Sequence, residues 1–351
     1  MSQRPYTVVV IVPTGIGAAI GGYAGDALPV VRAMAQVADR VITHPNVLNG
    51  AQLYWSLPNV LYVEGYALDQ FAAGNWGLRP VHQNPVGLVI DQAIEPELRT
   101  RHLQAADAVR ATLGLPLTDY VVTDQPLGVE LKTASSGATW GTIQHPDSLL
   151  RAAETSLKQT GARAIAVVVR FPDDIGSETL QNYRHGQGVD PLAGAEAIIS
   201  HLVVRTLQVP CAHAPALAPL PLDPQISPRS AAEELGYTFL PCVLVGLARA
   251  PQFVTQPSPS GTDLWAEHVD AIVVPDSACG GSAVLHLSQS AHLVTVRDNQ
   301  TRMNATPDLL GMRSLRVNSY LAALGALVAH RAGIHPNALS PELASLCPLA
   351  L

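Results

Sequence analysis

Short runs of hydrophobic residues alternate with longer helical patterns along most of the chain. The first run, residues 7–12, leads through a glycine-rich turn to a helical pattern over residues 26–40 and a second run at residues 40–43. Strands without alternation of polar and apolar positions are typical of parallel sheets that are buried on both faces. The pattern predicts an α/β fold of largely parallel sheets with helices on both faces.

The same alternation continues towards the end of the chain. It predicts a helix over residues 95–113 that stops at Gly114, because glycine adopts the left-handed conformation of a helix end most easily. The run at residues 241–245 resembles a further strand, and residues 314–331 are predicted to form a long closing helix.

A chain of 351 residues is long for a single core. We expect two Rossmann-like lobes with a cleft between them, an N-terminal α/β lobe of residues 1–115 and a second α/β lobe of residues 116–351. Two proline-rich segments, residues 210–228 and 251–260, are too long for tight connections. They are predicted to wrap the surface or to cover the cleft.

Composition and charge exclude some partners. Hydrophobic residues make up 48% and charged residues 14% of the chain, and the formal net charge is −7. A nucleic-acid backbone requires clustered Lys and Arg, which the sequence lacks, so no nucleic-acid partner is expected. The weakly charged surface is compatible with a homo-oligomer, with the apolar last helix as its interface.

The compartment is predicted from what the sequence lacks. No run approaches the roughly 18 apolar residues of a membrane span, and the first residues have no signal-peptide layout, so we expect no membrane partner. The four cysteines, at positions 211, 242, 279 and 347, have neither disulfide-framework nor zinc-site spacing. These observations predict a cytoplasmic protein.

The glycine-rich turn after the first strand is the first candidate for ligand binding. Backbone N–H groups at a strand-to-helix turn, together with the positive end of the helix dipole, bind anions. The candidate contacts are Thr14, Gly15, Gly17, Gly21 and Gly22. The alternative is that these glycines only permit a tight turn and close helix packing.

Polar residues follow the second predicted strand directly. His44, Asn46 and Asn49 are expected at the carboxyl edge of the sheet, where open α/β sheets bind ligands. An NAD-binding fold would have an acidic residue here to hold the ribose, so NAD is not expected and no other cofactor is indicated. A turn built by His44, Pro45 and Asn46 without any ligand is the alternative.

The segment from Asp276 to Ser282 has a similar position after a later strand. A cysteine on a turn before a helix has its thiol pKa lowered by the helix dipole, so Cys279 is a candidate nucleophile or base. Asp276 and His44 complete the candidate catalytic set, and Gly280, Gly281 and Ser282 are candidate ligand contacts. The alternative is that Cys279 is simply a small residue that fits.

The strand after this segment ends in Arg297 and Asn299, two further candidate ligand contacts. An arginine here could clamp a carboxylate or phosphate, or could form a structural ion pair. The first and last β-α-β units share this arrangement. We expect their ends to face each other across one cleft.

A metal site is weakly indicated in the middle of the chain. Cys211 and His213 are two residues apart and would face one side of an extended segment, with His201 or Glu196 completing the shell. A packed cysteine and a hydrogen-bonded histidine explain the same residues, so the sequence assigns no metal.

Several long stretches resemble an uncharacterised family of conserved proteins best known from oxygenic phototrophs. They are VPTGIGAAIGGYAGDALP, THPNVLN, YRHGQGVDPLAGAEAIISHLVV, PCAHAPAL, EELGYTFLPCVLVGLARAPQF and GGSAVL. The resemblance covers most of the chain. It implies residence in the cytoplasm or in the stroma of a plastid, and it implies no activity. A looser likeness to two-lobed aspartate/glutamate racemases fails, because Cys242 and Cys279 lack the Asn-Thr or Thr-His context of those enzymes.

Two functions follow from these patterns. The first is a small-molecule enzyme of hydrolase, lyase or isomerase type, acting on a polar or anionic metabolite between the two glycine-rich turns. The alternative is a non-catalytic protein that binds or senses such a metabolite with the same turns.

Overall fold

The computed structural model describes residues 4–49, 57–133, 139–173, 176–234, 239–259, 261–343 and 345–346, and Cys347 lies outside these ranges. The strands are β1 Thr7–Val10, β2 Arg40–Thr43, β3 Val60–Tyr62, β4 Gly77–Arg79, β5 Val86–Ile90, β6 Leu117–Val122, β7 Val129–Thr133, β8 Thr139–Ile143, β9 Ala164–Arg170, β10 Cys211–Ala216, β11 Gln252–Val254, β12 Ala271–Pro275, β13 His292–Val296 and β14 Leu315–Val317. The α-helices are α1 Leu28–Val37, α2 Pro45–Leu48, α3 Gly65–Ala72, α4 Pro96–Leu113, α5 Pro146–Thr160, α6 Glu178–Arg184, α7 Ala193–Leu207, α8 Phe239–Ala248, α9 Ser282–Leu287 and α10 Tyr320–Arg331. Short 3-10 helices span Ala266–His268 and Pro336–Leu339.

The larger sheet has six strands in the order β14-β13-β12-β1-β2-β3, and every neighbouring pair is parallel. Its central strand β1 is TVVV and is buried on both faces. β-branched side chains on a doubly covered strand explain why the sequence shows no polar alternation there. The predicted α/β class with parallel sheets is confirmed.

The second sheet has the order β10-β9-β5-β6 and is also parallel throughout. Both sheets take strands from both sides of residue 115. The larger sheet combines β1–β3 with β12–β14, and the second combines β5 with β6, β9 and β10. Residue 115 therefore does not separate the two sheets, because strand pairing joins segments that are distant in sequence.

Three hydrophobic cores fill the spaces between the two sheets and between each sheet and its outer helices. Val8 and Val10 face α1 and α10 on the outer side of the larger sheet, whereas Val9 faces the core between the two sheets. α3, α5, α7 and α9 contribute to that central core, and α4 and α8 cover the far face of the second sheet. In the part of the chain that the structure describes, no helix is both long and apolar enough to cross a membrane.

Helix ends follow the glycine signals closely. α4 ends at Gly114 and α5 at Gly161, with φ angles of +65° and +70°, the left-handed conformation that glycine adopts without strain. The first helix is shorter than the predicted range of residues 26–40. It begins at Leu28 and ends at Val37. A loop of residues 11–27 therefore replaces the tight strand-to-helix turn.

Three segments differ from their predicted form. Residues 241–245 lie in α8, whose apolar side chains are buried on all sides and so show no helical periodicity. Residues 211–216, in the first proline-rich segment, form the edge strand β10. In the second, β11 pairs antiparallel with β4. Prolines are accepted at these places because edge strands leave N–H groups unpaired.

Candidate functional site

A cavity of about 360 Å³ opens at the carboxyl ends of β1, β2, β3 and β12. The strand order of the larger sheet reverses between β1 and β12, and ligands of open α/β sheets bind at this kind of switch point. Residues of α7 and β10 form the opposite wall. The cavity therefore lies between the two sheets.

Several predicted site residues, His44 of the catalytic set among them, line this cavity. They are Thr14, His44, Asn46, Asn49, Gly281 and Ser282. The Asn46 side chain also donates to the carbonyl of Gly21 at 3.3 Å, and the Asn49 side chain accepts from the Tyr62 hydroxyl at 3.1 Å. Both asparagines thus hold the walls of the cavity as well as facing it.

His44 is a neutral side chain in this wall. Its Nε2 accepts the backbone N–H of Val12 at 3.3 Å. Burial lowers the pKa of His44 to about 4, because the charged imidazolium loses its hydration there. A neutral imidazole that accepts at Nε2 carries its proton on Nδ1. His44 is therefore a hydrogen-bond donor at neutral pH.

A carboxylate and a histidine meet beside the start of α3. Glu64 is 4% exposed and caps this helix by accepting the N–H groups of Tyr66 and Ala67 at 2.8 and 3.3 Å. Its Oε1 lies 2.6 Å from Nδ1 of His201, with the ring turned away from a linear hydrogen bond. Burial alone would lower the pKa of His201, but the Glu64 carboxylate outweighs it and the pKa is raised.

The absence of a side chain at Gly65 permits this contact. A Cβ there would lie 3.1 Å from Cε1 of His201. Such a separation is tighter than an ordinary van der Waals contact, so a larger residue would push the imidazole away from Glu64.

A second histidine–carboxylate contact lies on the opposite wall. His213 in β10 places Nδ1 3.2 Å from Oγ of Ser200, and Nε2 3.8 Å from Oε2 of Glu196. Glu196 and Ser200 are four residues apart on α7 and so share one face of the helix. Ser200 is 3% exposed, which makes it a poor nucleophile for a ligand in the cavity.

Two further carboxylates, Asp190 and Glu233, approach Glu196. Burial raises the pKa of Asp190 well above its usual range, and the charges of Glu196 and Glu233 raise it further. Burial also raises the pKa of Glu233, to about 7, although the N–H of Ala24 and the hydroxyl of Tyr183 donate to it at 2.6 and 2.7 Å. Glu233 therefore holds its proton up to about neutral pH, and Asp190 releases its proton less readily than an ordinary aspartic acid does.

Acidic side chains are the most numerous ionisable groups among the described residues of the lining. They are Glu64, Asp69, Asp190, Glu196 and Glu233. Among the described residues of the lining, none is Lys or Arg. One oxygen of Asp69 already has a hydrogen-bond partner, because its Oδ1 accepts the N–H of Ala283 at 2.9 Å at the start of α9. An anion in this cavity would meet repulsion from the ionised carboxylates, with no Lys or Arg among the described lining residues to offset it.

The glycine turn does not present a row of free amides. The N–H of Gly21 donates to Asp26 at 2.6 Å, and the N–H of Ile20 to Asn299 at 2.8 Å. Gly21 has a φ of +90°, and a Cβ there would lie 2.4 Å from Cγ1 of Val12. Gly15, Gly17 and Gly22 likewise lie outside the cavity lining. The glycines serve packing and turn conformation.

The ends of β1 and β13 are joined instead of facing each other. Asn299 is 1% exposed, and its amide group donates to the carbonyl of Ile20 at 2.9 Å and to the Tyr320 hydroxyl at 2.7 Å. This clamp holds the loop of residues 11–27 against the end of β13. Arg297 is exposed and does not line the cavity.

The segment from Asp276 to Ser282, predicted to be catalytic, contributes less to the cavity than expected. Cys279 is fully buried in the central core, and burial, followed by the charge of Asp276, raises the pKa of its thiol to about 12. Asp276 accepts from the Thr295 hydroxyl at 2.6 Å and Nε of Arg316 at 3.1 Å. Neither residue, nor Gly280, lines the cavity. The expected activated thiolate is not formed, because the sulfur points into the core.

The weak metal candidates are separated. Cys211 and His213 share one side of β10 as predicted, but Cys211 is buried in the central core and burial raises its pKa well above the usual range. His201 contacts Glu64 instead. No group of three or more His, Cys, Asp or Glu within the described ranges has the geometry to hold a metal ion.

Glu64, Asp69 and Glu233 were not among the predicted site residues. One signal was available for Glu64, which lies two residues after β3, much as His44 lies directly after β2. No local pattern identifies Asp69 and Glu233, since both reach the cavity only through packing of α3 and of the segment before α8.

Comparisons with known proteins agree with the resemblance in the sequence. A family model described as a protein of unknown function, DUF3326, matches residues 7–340. A relative from the cyanobacterium Synechococcus sp. strain PCC 6301 is 60% identical over 342 residues, which cover 97% of this chain and 95% of the relative, and it is named an uncharacterized lipoprotein. No solved structure matches. The chain belongs to the DUF3326 family.

Proposed function

We propose that the protein is an enzyme that transfers protons to or from a small polar metabolite, in a reaction of hydrolase, lyase or isomerase type. One observation carries the proposal. Two histidine–carboxylate contacts, His201 with Glu64 and His213 with Glu196, open on the same cavity. Histidines poised by carboxylates act as general acids and bases at neutral pH.

The charge of the cavity supports a neutral or positively charged metabolite in place of the anion suggested by the sequence. Carboxylates surround the cavity without a Lys or Arg among its described lining residues. Neutral His44 adds a hydrogen-bond donor but no positive charge. Hydroxyl or amino groups of a metabolite would find acceptors on most sides.

The second candidate is a non-catalytic protein that binds such a metabolite. It is favoured by the position of Cys279, because burial removes the thiol from the cavity and leaves no activated nucleophile there. Binding alone needs only the polar lining. Turnover distinguishes the two functions.

The test is conversion of metabolites from an extract, followed by untargeted mass spectrometry. We expect wild-type protein to deplete at least one metabolite and to form a product, whereas His201→Gln and His213→Gln lower that rate at least 100-fold. His82→Gln, at an exposed site outside the cavity, is the matched control. Binding without product formation would support the second candidate. Full activity in both variants would overturn the proposal.

Residence in the cytoplasm or stroma and self-association belong to the same proposal. α10 exposes Leu321 and Val328, 78% and 52% accessible, which supports an interface between copies. The Synechococcus relative carries the word lipoprotein in its name, so a membrane-attached form is the rival expectation for localisation.

A further inference from the structure

A small apolar pocket adjoins the cavity. Its volume is about 80 Å³, and it shares five lining residues with the cavity, namely Asp190, Glu196, Pro215, Glu233 and Phe239. The shared residues form the boundary between the two spaces. A ligand in the cavity therefore has the pocket directly beside the carboxylates.

Apolar side chains provide most of the pocket surface. Those on its far side are Leu180, Leu192, Leu217, Ala218 and Leu220. They come from α6, from the start of α7 and from the segment after β10. A void of this size accepts about three to five non-hydrogen atoms.

The polar groups in the pocket wall already have partners. Arg184 donates from Nε to Glu234 at 2.9 Å and from a terminal nitrogen to the carbonyl of Pro221 at 2.7 Å. The hydroxyl of Ser230 donates to the carbonyl of Arg184 at 2.6 Å. A polar guest would find few free partners here, whereas an aliphatic guest would lose only its contact with water.

We propose that this pocket is the specificity subsite of the cavity and receives a short aliphatic group of the ligand. The hydrogen-bonding head of the same ligand lies among the carboxylates and His44. The substrate class is thus a small amine or alcohol that carries a chain of about three to five carbons. This inference rests on the proposed function, because it places the head in the proposed site.

The experiment measures binding of two homologous series, n-alkylamines and n-alcohols from one to six carbons, by ligand-observed NMR with the full chain. We expect affinity in at least one series to rise about fourfold per methylene until the pocket is full, and then to level off. Ala218→Leu fills the pocket and should shorten the preferred chain by two or three carbons. Leu180→Ala enlarges it and should lengthen the preferred chain.

Ala322→Leu, on an exposed position of α10, is the matched control and should leave the preference unchanged. Thermal unfolding checks that each variant folds, and either pocket variant suffices for the test. Affinity independent of chain length, a preference that neither variant moves, or no binding by either series would overturn the subsite. Turnover in the metabolite assay is a separate readout, so the proposed enzyme could survive that failure.

Discussion

At the scale of single residues, burial decides the chemistry of His44 and Cys279. Each follows a strand of the larger sheet, and each is predicted from its position to be catalytic. Burial disfavours the charged form of any side chain, so it lowers the pKa of the imidazole to about 4 and helps to raise that of the thiol to about 12. His44 remains in the lining of the cavity, whereas Cys279 becomes part of the core.

Cys279 is therefore expected to be unreactive in the folded protein. At pH 8 its thiol remains protonated and its side chain is inaccessible, and the thiolate is the form that reacts. Alkylation with iodoacetamide, mapped by mass spectrometry, should modify Cys279 only after denaturation. Rapid modification of the native protein at this residue, or loss of turnover in Cys279→Ala, would restore it as a nucleophile.

At the scale of elements, side-chain clamps determine where the loop of residues 11–27 lies. Asn299 holds Ile20 from the end of β13, and Asp26 and Glu233 accept the N–H groups of Gly21 and Ala24. Backbone groups in a buried loop need such partners, because they have no ladder to join. The loop is therefore a fixed wall of the cavity.

Asn299→Ala should destabilise the protein by about 1–3 kcal/mol, because it leaves the backbone groups of Ile20 and the Tyr320 hydroxyl without their buried partner. Urea unfolding followed by circular dichroism measures the change. Asn318→Ala, at an exposed position, is the control and should change the free energy of unfolding by less than about 0.5 kcal/mol. Equal effects of the two changes would contradict the clamp.

At the same scale, α8 shows why a short apolar run is ambiguous. The sequence FLPCVLVGLA is apolar throughout, because α8 packs on the second sheet and also against Tyr62, whose ring would lie 2.5 Å from a Cβ at Gly246. A helix buried on all sides has no polar stripe from which its period can be recognised. A buried strand and a buried helix then have the same apolar sequence pattern, so the sequence does not distinguish them.

At the scale of the whole molecule, the cavity brings together carboxyls from distant parts of the chain. Glu64 follows β3, Asp190 precedes α7, Glu196 lies in the first turn of α7, and Glu233 precedes α8. Folding must bury these groups near one another, which costs free energy when they are charged. Stability is thereby coupled to pH through the site.

The raised pKa of Glu233 makes its contribution to stability decrease as the pH rises. Its pKa rises from an ordinary 4.5 to about 7 on folding, so the folded state binds the proton more tightly than the unfolded state. Its contribution to stability is present below about pH 4.5 and is lost as the pH rises through 7. Glu233→Gln should therefore raise the melting temperature at pH 8 and have little effect at pH 4.5.

The control for this measurement is Glu267→Gln, because the Glu267 side chain is 82% exposed. It should leave the melting temperature unchanged at both pH values. A melting temperature that Glu233→Gln lowers at pH 8 would show that the carboxylate, and not its protonated form, stabilises the folded protein.

The sequence by itself determined the α/β class, the parallel sheets, the helix end at Gly114, and the positions of His44 and Asn46 at a strand end. These features depend on the spacing of apolar residues and on the backbone preferences of single residues, so a short stretch of sequence is enough to predict them. The strand order, the burial of Cys279 and the meeting of Glu64 with His201 were decided only by tertiary structure. Packing joins segments more than 100 residues apart, and no local pattern records which of them will meet.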